Sequence, residues 1–255
     1  MTQHDDTLAL PRILCLHGGG VNGTVFRLQC RALVAALSGT FRLVFADAPY
    51  DSDAHEAIVG VYGDFGPFYR WLRWRPDHAE VPPAEAADRI VGACRRAMEA
   101  DGGAGEWAGI LGFSQGAKIA VSLLWAQERS DRRPLPARFR FGVVMAGSPP
   151  VVALSPSGDE PPPRHVADAA HPSMDFDDWP GDGDGEHAIG TPTLHVHGLL
   201  DAGLERHRRL MATYCRPGTT RLVEWQGGHR LPIKTVDVEA IKTEMMALAS
   251  ETGGI

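Results

Sequence analysis

The chain has 255 residues, of which 44% are hydrophobic and 22% are charged, and its formal net charge is -7 at pH 7. These proportions are typical of globular proteins and argue against disordered or fibrous chains, and the scattered basic residues argue against nucleic acid as a partner. No run approaches the roughly 20 apolar residues of a membrane helix, and the residues before position 12 include two aspartates where a signal peptide requires basic residues. The four cysteines form no Cys-x-x-Cys pair. We therefore expect one cytoplasmic domain over residues 1–255, without a disulfide framework and without membrane contact.

Six short apolar runs predict β-strands, at residues 12–17, 41–47, 107–113, 139–147, 192–198 and 221–225. Near-continuous runs that end in Gly, Asp or Ser are typical of buried parallel strands. Apolar residues at helical spacing predict helices between them, at 24–37, 82–100, 115–129, 204–214 and 236–248. Because strands and helices alternate, the sequence predicts an α/β fold with a doubly wound, mainly parallel sheet of about six strands and helices on both faces.

Two connections are longer than usual, at about 50–81 and 148–190. Both follow the carboxyl end of a predicted strand, which is the edge where open α/β sheets bind ligands. We expect loop or lid insertions there. The second segment is rich in Pro, Asp and Gly, a composition that is equally typical of a partly disordered insertion.

The sequence GFSQG at 112–116 matches the G-x-S-x-G pattern, in which a nucleophilic serine occupies a strained turn between a strand and a helix. The five-residue pattern alone is common. Here an apolar strand precedes it and a predicted helix follows it. This context favours Ser114 as a nucleophile over the alternative of a plain turn at a helix N-cap.

A nucleophilic serine needs a general base and an orienting acid, which in α/β hydrolases follow it in the order Asp or Glu, then His. His229 lies in the loop EWQGGHRLP after the last predicted strand, and Asp201 lies in HVHGLLDAG after the preceding one. Both loops would reach the edge at which Ser114 lies. The alternatives are an ordinary loop histidine and an aspartate that caps the helix near Leu204. His207 falls mid-helix among arginines, and we expect it to be solvated.

The glycine run at 18–20, in CLHGGGVNG, ends the first predicted strand. Backbone N–H groups there, together with the N–H of Gln115, are suited to stabilise an oxyanion. The competing interpretation is a phosphate-binding loop. Neither G-x-x-x-x-G-K-[ST] nor G-x-G-x-x-G is present, so nucleotide binding is the less favoured interpretation.

His195 and His197 alternate on one predicted strand and therefore share a face. A shared face would suit a metal site, but no third ligand stands at a recognisable spacing. We interpret the pair as strand-end histidines near the site, and we expect neither a metal nor another cofactor.

The sequence GPFYRWLRW combines aromatic side chains with arginines. One interpretation is that Phe68, Tyr69, Trp71 and Trp74 line an apolar acyl pocket with a cationic rim at Arg70 and Arg73. Such a rim could bind a carboxylate or the phosphopantetheine of an acyl carrier protein. The other interpretation, equally supported, is an amphipathic lid helix that packs its aromatics on the core.

The chain resembles the FSH family of serine hydrolases in six blocks that stand in the right order: LCLHGGGVNGTVFRLQCRAL, FADAPY, GPFYRWLRW, ILGFSQGAKIAVSLL, VHGLLDAGL and QGGHRLP. That family includes fungal esterases, polyketide-releasing thioesterases and the human ovarian-cancer-associated hydrolase. The resemblance runs from about residue 11 to 248 and is weakest in the insertion at 148–190.

The resemblance implies a reduced α/β-hydrolase fold with Ser114 as nucleophile, Asp201 as acid and His229 as base. Similarity to the related acyl-protein thioesterases implies that the backbone N–H groups of Gly19 and Gln115 form the oxyanion hole. Family members often have a bulkier residue after His-Gly, so the run of three glycines leaves open which of them donates.

The activity that the resemblance implies is two-step acyl transfer through an acyl-enzyme, with no cofactor. The expected substrate is a small-molecule acyl ester or thioester, including a polyketide or other acyl chain released from an acyl carrier protein in secondary metabolism. A general short-chain carboxylesterase is the close alternative. From another class, a non-catalytic binding protein on a hydrolase fold is the second alternative.

Overall fold

The computed structural model describes residues 6–129, 134–154, 162–170 and 176–255. Its strands are β1 (Arg12–Leu16), β2 (Arg42–Ala46), β3 (Tyr50–Ser52), β4 (Phe68–Arg70), β5 (Trp107–Phe113), β6 (Phe141–Met145), β7 (Val151–Val152), β8 (Val166–Ala167), β9 (Thr193–Gly198) and β10 (Thr220–Trp225). Its α-helices are α1 (Gly23–Gln29), α2 (Arg31–Leu37), α3 (Glu56–Tyr62), α4 (Pro83–Ala100), α5 (Gln115–Arg129), α6 (Leu204–Tyr214) and α7 (Thr235–Glu251). A short 3-10 helix, Gly63–Phe65, follows α3. None of the helices in the described residues is long and apolar enough to cross a bilayer.

The six strands predicted from the apolar runs form the central sheet, in the order β10-β9-β6-β5-β1-β2. Every neighbouring pair in this sheet is parallel. Helices α3 and α4 and the small pairs β3–β4 and β7–β8 lie in the long connections between sheet strands. The predicted parallel α/β sheet is therefore confirmed.

The sheet divides the hydrophobic core into two layers because successive side chains of a strand point to opposite faces. In β1, Leu14 and Leu16 are buried in the layer formed with α4, α5 and α6. Ile13 and Cys15 are buried in the layer formed with α1, α2 and α7. Burial of each aliphatic side chain contributes about 2 kcal/mol, and burial on both faces explains why the strands read as continuous apolar runs.

The predicted helix at 24–37 is two helices, α1 and α2, which meet at Cys30. The Asn22 side chain caps the first one by accepting a hydrogen bond from the Val25 N–H at 2.8 Å. Across the junction the Cys30 N–H donates to the Phe26 carbonyl and the Cys30 carbonyl accepts from the Val34 N–H, both at 2.8 Å. Hydrogen bonding between residues four apart is thus retained across Cys30. The spacing of the apolar residues therefore gives no sign of the boundary between α1 and α2.

The first long connection contains α3 and the antiparallel pair β3–β4, with Tyr50 opposite Arg70. The segment GPFYRWLRW therefore supplies a strand, and the lid-helix interpretation is wrong. In the second connection the described residues contain the parallel pair β7–β8. Within the Pro/Asp/Gly-rich segment at 148–190, residues 155–161 and 171–175, with His171, lie outside the described residues, and the rest of the segment is described.

Candidate active site

The candidate site lies at the carboxyl edge of the sheet, where the chain reverses its direction of winding. From β1 the chain passes to β2 on one side, whereas from β5 it passes to β6 on the other. Such a reversal leaves a crevice between the loops that follow the two adjacent strands. The glycine run follows β1 and Ser114 follows β5, so both flank the crevice. Asp201 follows β9 and His229 follows β10 at the same edge.

Ser114 stands in a strained turn between β5 and α5. Its φ of 54° lies in the left-handed region, which costs a residue with a side chain about 1 kcal/mol or more. Its N–H donates to the Met145 carbonyl at 2.9 Å. The flanking glycines are required sterically, because a Cβ at Gly112 would overlap the Gly116 carbonyl and a Cβ at Gly116 would overlap the Leu16 carbonyl. The close approach of β5, α5 and β1 therefore holds the serine hydroxyl at the edge.

Ser114, His229 and Asp201 form one hydrogen-bonded chain. The Ser114 Oγ lies 2.9 Å from His229 Nε2. The His229 Nδ1 lies 2.7 Å from Asp201 Oδ2. A carboxylate only accepts hydrogen bonds, so Nδ1 carries the proton and Nε2 is left to accept the hydroxyl proton. The Asp201 side chain is 3% exposed and the His229 side chain is 42% exposed, so the acid lies in the protein interior and the base lies at the surface.

Asp201 is held as an anion. Burial raises the pKa of its carboxyl, but hydrogen bonds from the Gly203 N–H and from His229 outweigh burial, so the pKa stays below its ordinary value of 3.8. The Gly203 N–H donates to Oδ1 at 2.7 Å, while Oδ2 faces His229. One oxygen therefore stabilises the turn before α6, and the other orients the imidazole.

His207 is buried, so the expectation that it is solvated is wrong. It shares the inner face of α6 with Leu210 and Tyr214, a spacing of three and four residues that the sequence displays. Its Nε2 lies 4.0 Å from Asp201 Oδ2, and burial lowers its pKa to about 4, which leaves it neutral at pH 7.

Asp201, His207 and His229 also offer three atoms within 4.8 Å of one another, a grouping that could hold a metal ion. Two of these atoms already share the 2.7 Å hydrogen bond, and an ion between them would replace it. His195 and His197 lie together on β9 with ring centroids 5.9 Å apart, both buried, outside this group.

The N–H groups of the two expected oxyanion donors, Gly19 and Gln115, are left without an acceptor in the described residues for identifiable reasons. His17 Nδ1 donates to the Gly18 carbonyl at 2.7 Å, because its Nε2 is occupied in accepting the Ala48 N–H at 3.0 Å. In a trans peptide the C=O and the next N–H point in opposite directions, so this bond directs the Gly19 N–H away from His17. The Gln115 N–H stands at the first residue of α5 and has no partner one turn earlier. Within the described residues neither N–H donates a hydrogen bond.

Sequence reasoning missed His17, which is fully buried and whose pKa burial lowers to about 4. The neutral ring anchors the glycine run from beneath. The run is also fixed at its far end, where the Gly20 N–H donates to the Tyr69 carbonyl and the Gly20 carbonyl accepts from the His55 N–H, both at 2.9 Å. Hydrogen bonds at both ends thus fix the conformation of the loop that the three consecutive glycines form.

The aromatic residues expected to bind substrate have another place. Trp71 is fully buried, and its Nε1 donates to the His17 carbonyl at 2.9 Å. The Gln115 side-chain oxygen accepts from the Trp71 N–H at 2.6 Å and from the Leu72 N–H at 3.2 Å. Its amide nitrogen donates to the Leu72 carbonyl at 3.1 Å. Phe68 is buried in the core, and Tyr69 forms an isolated antiparallel β-bridge with Val21.

Phe68, Tyr69, Trp71 and Trp74 are absent from the described residues that line the cavity beside Ser114. Arg70 and Arg73 do not form the expected rim either. Arg70 is buried with its guanidinium 4.7 Å from the centre of the Tyr50 ring, and Arg73 pairs with Glu80 at 2.9 Å. The segment supports the glycine loop, through Tyr69 at Gly20 and Trp71 at His17.

The cavity beside Ser114 has a volume of about 450 Å³, within the range of small-molecule sites. Its apolar wall comes from separate parts of the chain: Val21, Ala57, Ile58, Tyr62, Phe113, Trp225, Leu231 and Ile233. Ser114 and His229 open into it together with Gly18 and Gly19. Three cations also line it, at Arg31, Arg230 and Lys234. No local pattern in the sequence indicated this set.

Comparisons with known proteins show the family and the fold to which this chain is similar. The serine hydrolase (FSH1) family matches residues 7–241. Esterase pigG of Monascus ruber is 49% identical over 261 residues, which cover 98% of this chain and 95% of the relative. Esterase claE of Penicillium crustosum is 44% identical over 263 residues, which cover 99% and 97%. The solved structure of acyl-protein thioesterase 2 from Zea mays is similar with a TM-score of 0.55 at 15% identity, covering 96% of both chains. At that identity the likeness concerns the fold, and it confirms the predicted α/β-hydrolase architecture.

Proposed function

The chain belongs to the FSH1 family of serine hydrolases, and from that premise we propose that Ser114, His229 and Asp201 hydrolyse an acyl ester or thioester through an acyl-enzyme. The observation that carries the proposal is the chain of hydrogen bonds of 2.9 and 2.7 Å that ends on a serine in a strained turn. A non-catalytic binding protein would gain nothing from that strain. The relatives named esterases at 44% and 49% identity support hydrolysis of an ester bond.

In the first step His229 Nε2 takes the proton of Ser114 as Oγ attacks the substrate carbonyl. The negative charge that develops on the carbonyl oxygen is stabilised by the N–H groups of Gly19 and Gln115. Asp201 stabilises the imidazolium, which then gives its proton to the leaving alcohol or thiol. In the second step water, deprotonated by His229, hydrolyses the acyl-enzyme and regenerates the serine.

The substrate that we propose carries an acyl chain long enough to use the apolar wall, as a polyketide or fatty acyl group would. The cavity of about 450 Å³ supports this over a preference for the shortest esters. Release of such a chain from the thiol of an acyl carrier protein belongs to the same proposal. The four cysteines are free and buried, in keeping with the cytoplasmic location that we propose.

The test combines a fluorophosphonate probe with p-nitrophenyl esters of graded chain length. Ser114→Ala is expected to abolish labelling and to lower kcat/KM by about 10³-fold or more, as in other triads. Ser38→Ala, a change of the same kind at an exposed serine whose Oγ donates to the Ala35 carbonyl, serves as the control and keeps wild-type activity. Undiminished turnover in Ser114→Ala would refute the proposal. Matched acyl esters and acyl-pantetheine thioesters then separate esterase from thioesterase preference.

A further inference from the structure

The mouth of the cavity beside Ser114 is positively charged on a protein whose net charge is -7. Arg31, Arg230 and Lys234 line it, all three are exposed, and the described residues that line the cavity include no aspartate or glutamate. Arg230 directly follows the proposed base His229, and its guanidinium lies 5.8 Å from the centre of the Trp225 ring, which is part of the apolar wall. Positive charge is therefore placed beside both the reacting groups and the acyl wall.

These cations are not used to stabilise the fold by ion pairing. Within the described residues none of the three makes a salt bridge with a carboxylate. By contrast, two other arginines of this chain each pair with two carboxylates. Arg208 binds Glu205 and Glu224, both at 3.1 Å, and Arg221 binds Glu244 and Glu251.

Helix electrostatics do not explain Lys234 either, because it is the N-cap of α7. A helix N-terminus carries partial positive charge and favours acidic residues, so cations there are unfavourable. Arg31 lies at the junction of α1 and α2, where its guanidinium donates to the Leu28 carbonyl at 3.3 Å. Cations that make no salt bridge with a carboxylate among the described residues are suited to bind an anionic group of the ligand.

We propose that the substrate bears an anionic carboxylate or phosphate group, which Arg31, Arg230 and Lys234 bind at the mouth while the acyl chain lies on the apolar wall. This inference rests on the proposed function, because the carbonyl that it positions is the one attacked by Ser114. Charged hydrogen bonds from guanidinium and ammonium groups are the usual means of binding either anion. The anion belongs either to the far end of the acyl group or to the leaving group.

Two matched substrate pairs distinguish these sources. Mono-p-nitrophenyl suberate and p-nitrophenyl octanoate have the same number of acyl carbons and differ in a terminal carboxylate. S-octanoyl phosphopantetheine and S-octanoyl pantetheine differ in the phosphate of the leaving group. We expect the wild-type enzyme to favour the anionic member of at least one pair in kcat/KM. A preference in the first pair places the anion on the acyl group, and a preference in the second places it on the leaving group.

Substitution of the three cations tests the residues. Each exposed ion pair contributes about two- to fivefold, so Arg31→Gln/Arg230→Gln/Lys234→Gln is expected to lower the anionic-to-neutral ratio of kcat/KM by about tenfold or more. Salt at about 1 M, where the Debye length is about 3 Å, is expected to lower the wild-type ratio as well. The single variant Lys234→Gln is expected to lower it by about two- to fivefold. Lys242→Gln, on the same helix but paired with Glu239 at 3.7 Å, is the control and leaves the ratio unchanged.

The result that overturns the inference is a wild-type enzyme that shows equal kcat/KM for both members of both pairs, or a ratio that the triple and single variants leave unchanged. Either result is compatible with hydrolysis by Ser114 and concerns the anion alone. Turnover that persists in Ser114→Ala would instead overturn the proposed function. Thermal unfolding of each variant, followed by circular dichroism, confirms that the ratios compare folded proteins.

Discussion

Asp201→Asn separates the two roles that one carboxylate has in this structure. Oδ1 accepts the Gly203 N–H at 2.7 Å, and Oδ2 accepts the proton on His229 Nδ1, also at 2.7 Å. The asparagine can keep its oxygen on the Gly203 N–H. Its amide nitrogen then faces His229 Nδ1 and donates to it. The imidazole must carry its proton on Nε2, which faces Ser114 and can no longer accept the hydroxyl proton.

The expected loss is about 10⁴-fold in kcat, which corresponds to about 5.5 kcal/mol in the barrier, as for the same change in other triads. Stability is expected to change by about 1 kcal/mol or less, because the hydrogen bond to Gly203 is retained. The assay is hydrolysis of a p-nitrophenyl ester, and urea unfolding is measured on the same preparation. If Asp201 only capped the turn before α6, Asp201→Asn would keep its rate.

Asp47→Asn is the matched control. Asp47 Oδ1 accepts the Gly23 N–H at the start of α1 at 2.7 Å, and no hydrogen bond joins it to His229 among the described residues. The same chemical change there is expected to leave kcat within about twofold. A value of kcat/KM above one-tenth of wild type in Asp201→Asn would refute the assignment of Asp201 as the orienting acid.

Three further predictions concern the support of the site. Gln115→Ala removes three hydrogen bonds to the backbone after β4 and should lower the free energy of unfolding, measured in urea, by about 2–3 kcal/mol. An unchanged free energy of unfolding would show that these three hydrogen bonds do not stabilise the protein. Gly116→Ala places a Cβ against the last carbonyl of β1 and should lower Tm sharply. Gly60→Ala, in open space on α3, should raise Tm slightly, and the opposite order of Tm would contradict the steric argument. Burial lowers the pKa of His17 to about 4 and of His195 to about 3, so stability is complete above pH 6.5 and falls as the pH drops towards these values. Each contributes a loss of about 2 kcal/mol at pH 5, and a urea midpoint equal at pH 5 and pH 7 would contradict burial of these neutral rings.

Local patterns predicted the elements well where burial is uniform. Helix α5 begins as predicted at Gln115 and is helical over the predicted span to Arg129, the last described residue there, because the G-x-S-x-G turn marks its start and apolar residues fill its length. The central strands follow their apolar runs for the same reason. The bend at Cys30 escaped prediction, since no glycine or proline marks it and hydrogen bonding continues across it.

The segment GPFYRWLRW shows where such patterns become ambiguous. A mixture of aromatic and basic residues is compatible with either an amphipathic helix or a half-buried strand. Pairing with β3 shows that Phe68–Arg70 is a strand. The Gln115 side chain accepts from the backbone N–H of Trp71, and the His17 carbonyl accepts from its indole N–H, and both partners are distant in sequence. Contacts of this kind depend on where other segments lie.

The sequence by itself determined the alternation of strands and helices, the motif around Ser114, and the order of Ser114, Asp201 and His229. Each of these is carried by neighbouring residues or by the loop that follows one strand. Only the tertiary structure decided that His207 is buried and that Arg31 and Lys234 line the cavity with the serine. The walls of a cavity are formed by segments that are distant in sequence and meet only in the folded protein. Which residues line it therefore depends on distances in space, which a local sequence pattern does not contain.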